Sequence, residues 1–228
     1  MLNDVNGPAA KRVAVVILSK APIAGRVKTR LSPPCTPSEA AAVAEACLLD
    51  TIDAVAATSA AGRRVLAIDG PVGLWCPHGF DVVPQRGGGL DERLAAAFDD
   101  VGGPVVLVGM DTPQVTPELL THAVAQLQDH DSVIGPAADG GYWLIGLRVA
   151  NPKVFLGVPM STDATCAAQL ERLADLGLRV SVVQELRDVD TAVDAVRVAE
   201  SSPWTRLAAA VDRIDALRSM MQRPAPIS

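Results

Sequence analysis

The sequence predicts an α/β fold: a single three-layer α/β/α sandwich built on a mainly parallel, mixed sheet. Three observations lead there. Residues 13–18 and 104–109 are short, unbroken apolar runs rich in valine, the composition of strands covered on both faces. Segments with helical periodicity and clear N-terminal signals alternate with such runs, which is the pattern of a sheet flanked by helices. No internal repeat or low-complexity linker interrupts the alternation.

Taken in order, residues 13–18 form the first strand, and a loop bearing proline and glycine follows to Cys35. Thr36, Pro37 and Glu39 then announce a helix as N-cap, first-turn proline and capping-box partner. Val43, Cys47, Leu48, Ile52 and Val55 give it an apolar face. Strands are expected at 64–69 and 81–84, a helix at 90–101, a strand at 104–109 and a helix capped by Thr116-Pro117 to about 128. Strands at 132–135 and 142–147 flank the turn Ala138-Asp139-Gly140-Gly141, and helices at 161–176 and 191–200 enclose a strand at 179–183. A last helix starts at Ser202-Pro203 and carries Leu207, Val211, Ile214, Leu217 and Met221 on one face. The expected layout is a nucleotide-binding domain over 1–201, a helix over 202–222 that packs on it or pairs subunits in a homodimer, and a loose tail at 223–228.

Composition narrows the classes of function. A chain of 228 residues with 49% hydrophobic and 20% charged residues is that of a soluble globular protein. Aromatics reach only 3%, so alanine, valine and leucine fill the core. The net charge of −6, spread along the chain, argues against nucleic acid or an anionic membrane as a general partner. The four cysteines are scattered without a C-x-x-C pair, as expected of idle thiols in a reducing cytosol. Residues 1–10 lack the apolar core of a signal peptide, and no apolar run approaches the ~20 residues of a membrane span. The expected location is the cytoplasm.

Ligands of such sheets sit beyond the carboxyl ends of the strands. After the first strand comes a loop carrying Lys20, Pro22, Gly25, Arg26, Lys28 and Arg30, a concentration of cations in an acidic protein. Forked arginines and point-charge lysines suit a polyphosphate, although the spacing is not that of a P-loop. After the strand at 104–109, Asp111 precedes Thr112-Pro113 and is a candidate metal ligand, since Thr116 already supplies the next helix cap. Asp188 and Asp190 share one side of an extended segment, so either can reach a metal, and the helix start at Thr191 makes Asp190 the better fixed. Plain helix capping accounts for this pair equally well. One or two carboxylates with substrate phosphates meet the needs of Mg²⁺, or Mn²⁺ in its place. Gln85, with Gly87 and Gly88 beside it, offers an amide for a base edge on a permissive backbone. Asp139, Gly140, Gly141 and Tyr142 suit an acceptor pocket, or simply an Asp-Gly hairpin. His78, His122 and His130 are assigned to the surface.

These segments, in this order, resemble the nucleotide-diphospho-sugar transferase superfamily of GT-A type, and within it a bacterial glycosyltransferase-like family of unknown function. The matching stretches are Lys20 to Leu31, Gln85 to Gly87, Gly109 to Pro113, Gly135 to Leu147 and Asp188 to Thr191. The chain is more distantly similar to phospholactate guanylyltransferase and molybdenum-cofactor nucleotidyltransferases. The resemblance implies that Lys20, Lys28 and Arg30 hold phosphates, Asp111 and Asp190 bind Mg²⁺, and Gln85 meets the base. Pro159-Met160-Ser161-Thr162 departs from the family pattern, which has an aromatic residue before Ser-Thr, and this bears on acceptor shape.

The expected activity is metal-dependent transfer of a nucleoside monophosphate from a triphosphate to a small, phosphorylated acceptor, with Lys28, Arg30 and Asp111 as the catalytic groups. Glycosyl transfer from a sugar nucleotide is the alternative. The single carboxylate of Asp111-Thr112-Pro113, where glycosyltransferases of this fold often carry D-x-D, and the rich basic loop favour nucleotidyl transfer. A nucleotide-binding module without catalysis is the third reading.

Overall fold

The computed structural model describes residues 12–76 and 78–222. The readings made for residues 1–10 and for the tail at 223–228 lie outside these described residues.

The strands are β1 (Ala14–Lys20), β2 (Arg63–Asp69), β3 (Asp81–Pro84), β4 (Val105–Gly109), β5 (Ser132–Pro136), β6 (Tyr142–Leu147) and β7 (Val180–Val182). They form one seven-stranded sheet in the order β3-β2-β1-β4-β6-β5-β7. Pairing is parallel throughout except where β6 runs antiparallel to both β4 and β5. The carboxyl ends of the other six strands therefore share one edge with the start of β6. The long connections run through α1 (Pro37–Ala57), α2 (Leu90–Val101), α3 (Pro117–Asp129) and α4 (Thr165–Asp175).

Side chains alternate along each strand, so one run of residues feeds two cores. On β1, Val15 and Ile17 pack with Leu48 and Ile52 of α1 and with Leu120 and Leu127 of α3. Val16 packs on the opposite face with Leu94 and Phe98 of α2, with Leu173 of α4 and with Phe155 from the connection before α4. Phe98 and Phe155 meet at 4.8 Å between ring centroids. The expected α/β/α sandwich and mixed sheet are found.

The capping box predicted at Thr36 forms, with Thr36 N donating to Glu39 Oε2 at 2.7 Å and Glu39 N to Thr36 Oγ1 at 3.3 Å. Two helical expectations need correction. The helix read at 161–176 begins only at Thr165, because Ser161 holds a left-handed backbone with φ 59° that no helix accepts. The terminal helix is two: α6 (Arg206–Arg213) and α7 (Asp215–Met221), separated at Ile214, whose φ −94° and ψ 106° are extended. It starts at Arg206 under Thr205 rather than at Ser202-Pro203, because Ser202 closes α5 (Ala192–Ser201) by donating to the Val198 carbonyl. Leu207, Val211 and Leu217 pack with Val43 and Cys47 of α1 and with Ala195 and Val196 of α5 in a third core. No described helix is long and apolar enough to cross a membrane.

Candidate active site

A cavity of about 850 Å³ opens at the edge where the strands end. Three segments distant in sequence build its centre. Val189 N donates to the Asp111 carbonyl at 2.8 Å, and Gln114 Nε2 to the Arg187 carbonyl at 2.8 Å. The strand-like run after β7 is thus stitched to the turn after β4. From the loop after β1, Lys28 inserts its ammonium between the two. Lys28 Nζ lies 2.5 Å from Asp111 Oδ1 and 3.8 Å from Asp190 Oδ1, and also donates to the Val189 carbonyl. Its backbone is left-handed, with φ 48° and ψ 37°, a conformation that costs a residue with a β-carbon energy and persists where the surroundings impose it.

The centre carries more acid than base. Asp111, Asp139, Asp188 and Asp190 all line the cavity. Burial, joined by the charges of Asp111 and Asp139, pushes the Asp188 carboxyl up to about 7. Burial also raises Asp190, against the opposing pull of Lys28. For Lys28 burial works the other way, yet Asp111 and the neighbouring groups outweigh it and hold the ammonium above its ordinary value. Asp188 Oδ1 is buried without a hydrogen-bond partner, a costly state unless a ligand completes it. Helix capping does not explain these acids, because Thr191 caps α5 through a box closed by Asp194, and Thr116 caps α3.

Among the described residues, no group of three or more His, Cys, Asp and Glu side chains is arranged to hold a metal unaided. A surplus of carboxylate, an unpartnered buried carboxylate oxygen and an open cavity do fit a divalent cation that takes its remaining ligands from phosphates and water. Asp111 and Asp190, both within ion-pair reach of one ammonium, would hold it, and Asp188 is the acid that sequence reasoning passed over in favour of Asp190. The Asp-x-Asp spacing was its signal. A buried carboxylate oxygen without a partner, invisible in sequence, is what distinguishes Asp188 from Asp190.

Other expected residues divide between those that face the cavity and those that shape it. Lys20, Arg26 and Arg30 line it from exposed positions, with Arg30 Nη1 3.5 Å from Asp190 Oδ2. Pro22 and Gly25 do not line it; Gly25, with φ 77°, turns the loop. The phosphate role expected of Lys28 needs revision, because its side chain is 5% exposed and engaged by Asp111. The base-reading role of Gln85 is also changed. Its Nε2 donates to the Ser19 and Ala67 carbonyls at 2.7 and 3.0 Å, tying β3 to β1 and β2, so only the amide oxygen is left to face a ligand. Gly88 lines the cavity while its amide donates to Glu92 Oε2, and Gly87 does not reach the cavity.

In the expected acceptor segment, Asp139, Gly141 and Tyr142 line the cavity. Asp139 Oδ1 accepts from Gly141 N at 2.9 Å, so the turn chemistry and the cavity position coexist. Gly140 does not line the cavity, and no side chain fits in its place: a β-carbon there would lie 1.9 Å from the Asp163 carbonyl oxygen. Tyr142 donates from its hydroxyl to Gln169 Oε1 at 3.3 Å. Sequence reasoning missed Arg93, which lines the cavity from α2 and pairs with Asp69 at 3.3 Å. Its signal was a cation one helical turn beyond the glycine triplet.

Comparison with known proteins agrees with this architecture. Residues 42–162 match the family described as "Uncharacterized protein conserved in bacteria (DUF2064)". The chain is 30% identical over 195 residues to 3-phospho-D-glycerate guanylyltransferase of Phenylobacterium zucineum (strain HLK1), covering 79% of this chain and 88% of that one. A crystal structure from Desulfovibrio desulfuricans G20, of a protein proposed to be a nucleotide-diphospho-sugar transferase, superposes with a TM-score of 0.82 at 28% identity, over 92% of this chain and 98% of the other. CMP:2-keto-3-deoxy-manno-octonic acid synthetase complexed with CTP shares the fold, with a TM-score of 0.57 at 14% identity over 85% and 99% of the two chains.

Proposed function

Because the chain belongs to the DUF2064 family of bacterial proteins, we propose that it is a nucleotidyltransferase that moves a nucleoside monophosphate from a triphosphate to a small phosphorylated acceptor. The observation that carries this reading is the convergence of Asp111 and Asp190 on one ammonium at the carboxyl edge of the sheet, with Asp188 lining the same cavity and exposed cations beside them. An acid centre flanked by Lys20, Arg26 and Arg30 matches a metal-bound triphosphate, where cation and anion must be held side by side. The relative from Phenylobacterium supports GTP as donor and a phosphorylated hydroxy acid as acceptor.

In this reading Asp111 and Asp190, with Asp188 lining the same cavity, would hold Mg²⁺ or Mn²⁺. When bound, that ion supplies charge neutralisation at the phosphates. The chain's own residues do the rest. Arg26, Arg30 and Lys20 orient the phosphate tail, and Arg30, already beside Asp190, meets the charge that develops on departing pyrophosphate. The region of Asp139, Gly141 and Tyr142 positions the acceptor so that its phosphate oxygen faces the α-phosphorus opposite the leaving group. A bond forms between that oxygen and the α-phosphorus, the bond to the β-phosphate bridge breaks, and pyrophosphate leaves with the electron pair. No protein nucleophile is needed. Residues 1–201 act as the catalytic domain and the cytoplasm, where triphosphates are plentiful, is the setting.

The test is a thermal-shift panel of nucleoside triphosphates and sugar nucleotides with and without Mg²⁺ or Mn²⁺, followed by pyrophosphate release from GTP in the presence of 3-phosphoglycerate. Metal-dependent stabilisation by a triphosphate and acceptor-dependent pyrophosphate release are expected. Stabilisation by sugar nucleotides alone would overturn the reading in favour of glycosyl transfer.

A further inference from the structure

Lys28 is placed where a phosphate-binding lysine has no reason to be. It is almost wholly buried, and its ammonium fills the gap between Asp111 and Asp190. Its third contact is the Val189 carbonyl, in the middle of the Asp188–Asp190 stretch, so it also joins the two acidic segments mechanically. A divalent ion shared by Asp111 Oδ1 and Asp190 Oδ1, the two oxygens that face the ammonium, needs each at about 2.0–2.6 Å, which is the space the lysine nitrogen now occupies. Ammonium and metal cannot both sit there, and at such range the two cations would repel strongly.

From this geometry we infer that Lys28 is the resident counter-cation of the acid centre, holding Asp111 and Asp190 in place until a metal ion arriving with the nucleotide displaces it. The inference rests on the metal reading given above. Without a cation, clustered carboxylates in a partly buried site repel one another and lose their arrangement. The ammonium prevents this and at the same time keeps free metal out. The exit available to it is the loop itself: Arg26 and Arg30 on either side already face the cavity, so a displaced Lys28 joins them at the phosphates. Metal and nucleotide then bind together rather than singly, because the triphosphate provides the new partner that the ammonium needs.

Mn²⁺ binding to the full chain, followed by electron paramagnetic resonance of free Mn²⁺, tests this with GTP present and absent. Lys28→Met should bind Mn²⁺ alone more tightly than wild type, on the order of tenfold from removal of one nearby positive charge, and should gain less from GTP than wild type does. Equal Mn²⁺ affinities without nucleotide, in proteins that both bind Mn²⁺ with GTP, would overturn the counter-cation role and leave the metal reading standing. No Mn²⁺ binding by either protein under any condition would overturn both. Lys28→Gln, which keeps a hydrogen-bonding side chain, serves if the methionine variant does not fold. Wild type offers an independent measurement, since the chain has only four lysines to assign in a ¹⁵N-lysine spectrum. The Lys28 ammonium signal should shift when Mg²⁺ and GTP are added together, and a signal that stays unmoved at saturation would overturn the inference.

Discussion

Asp111 meets two demands at once. Its backbone carbonyl receives the Val189 amide, and its carboxylate receives Lys28. A side chain that were only a free metal ligand could be changed without thermal consequence, but this one also compensates a buried ammonium. Asp111→Asn is therefore expected to cost roughly 1–2 kcal/mol of stability, discounted from the larger figure for breaking a fully buried pair because the carboxylate is 41% exposed. The same variant should lose metal-dependent nucleotide binding altogether, as measured by calorimetry with Mg²⁺ and GTP. Retention of that binding would remove Asp111 from the metal site. Lys28 and Asp188 carry the lesson of single residues: both were visible as chemistry in the sequence, but which of them is buried, and against what, was not.

The starts of α1, α3 and α5 were readable because their caps are local. Thr36, Thr116 and Thr191 all accept from the amide three residues on, as short-range signals can specify. The connection of α6 to α1 is different. Asp50, in the middle of α1, accepts from the backbone amides of Arg206 and Leu207 at 2.8 and 3.0 Å, while Asp53 accepts from the Arg206 side chain. An acid at the amino end of a helix satisfies orphan donors and meets the positive end of its dipole. Asp50→Ala should cost about 2 kcal/mol in denaturant unfolding. Because α1 also carries Ala44, which lines the cavity, and Cys47, buried beside α5, nucleotide affinity should fall with it. An unchanged midpoint would show that the third core holds α6 without this cap. The break at Ile214 escaped sequence reasoning because the apolar spacing from Leu207 to Leu217 continues across it, so periodicity alone reads one helix.

Across the whole molecule, the sheet separates a chemical edge from a structural one. At the structural edge Asp131 accepts from Arg148 Nη2 at 2.8 Å and Arg179 Nε at 3.1 Å, clamping the chain after β6 to the chain before β7. The Arg179 side chain first, and its backbone amide next, hold the Asp131 carboxyl below the ordinary carboxylate range. With a depressed folded value, this clamp stabilises the protein above the ordinary aspartate pKa and fades as pH falls through the folded value. Asp131→Asn should thus melt at a lower temperature than wild type at neutral pH, with the two curves converging in acid. A gap of constant size across the titration would show that the charge is not what matters there.

The order of the strands and of the helices between them, the caps at Thr36, Thr116 and Thr191, the two-faced burial of β1 and the concentration of cations after it followed from local composition and spacing. These properties depend on neighbours a few residues away, and chain sequence records such neighbours directly. The meeting of Lys28 with residues 111 and 190 depends instead on the reversal of β6, which lets the 183–191 run return beside β4. Long-range pairing of that kind sets which carboxylate is buried, which cation is spent on it and which glycine is crowded out of the cavity, and none of these is encoded in any short stretch of residues.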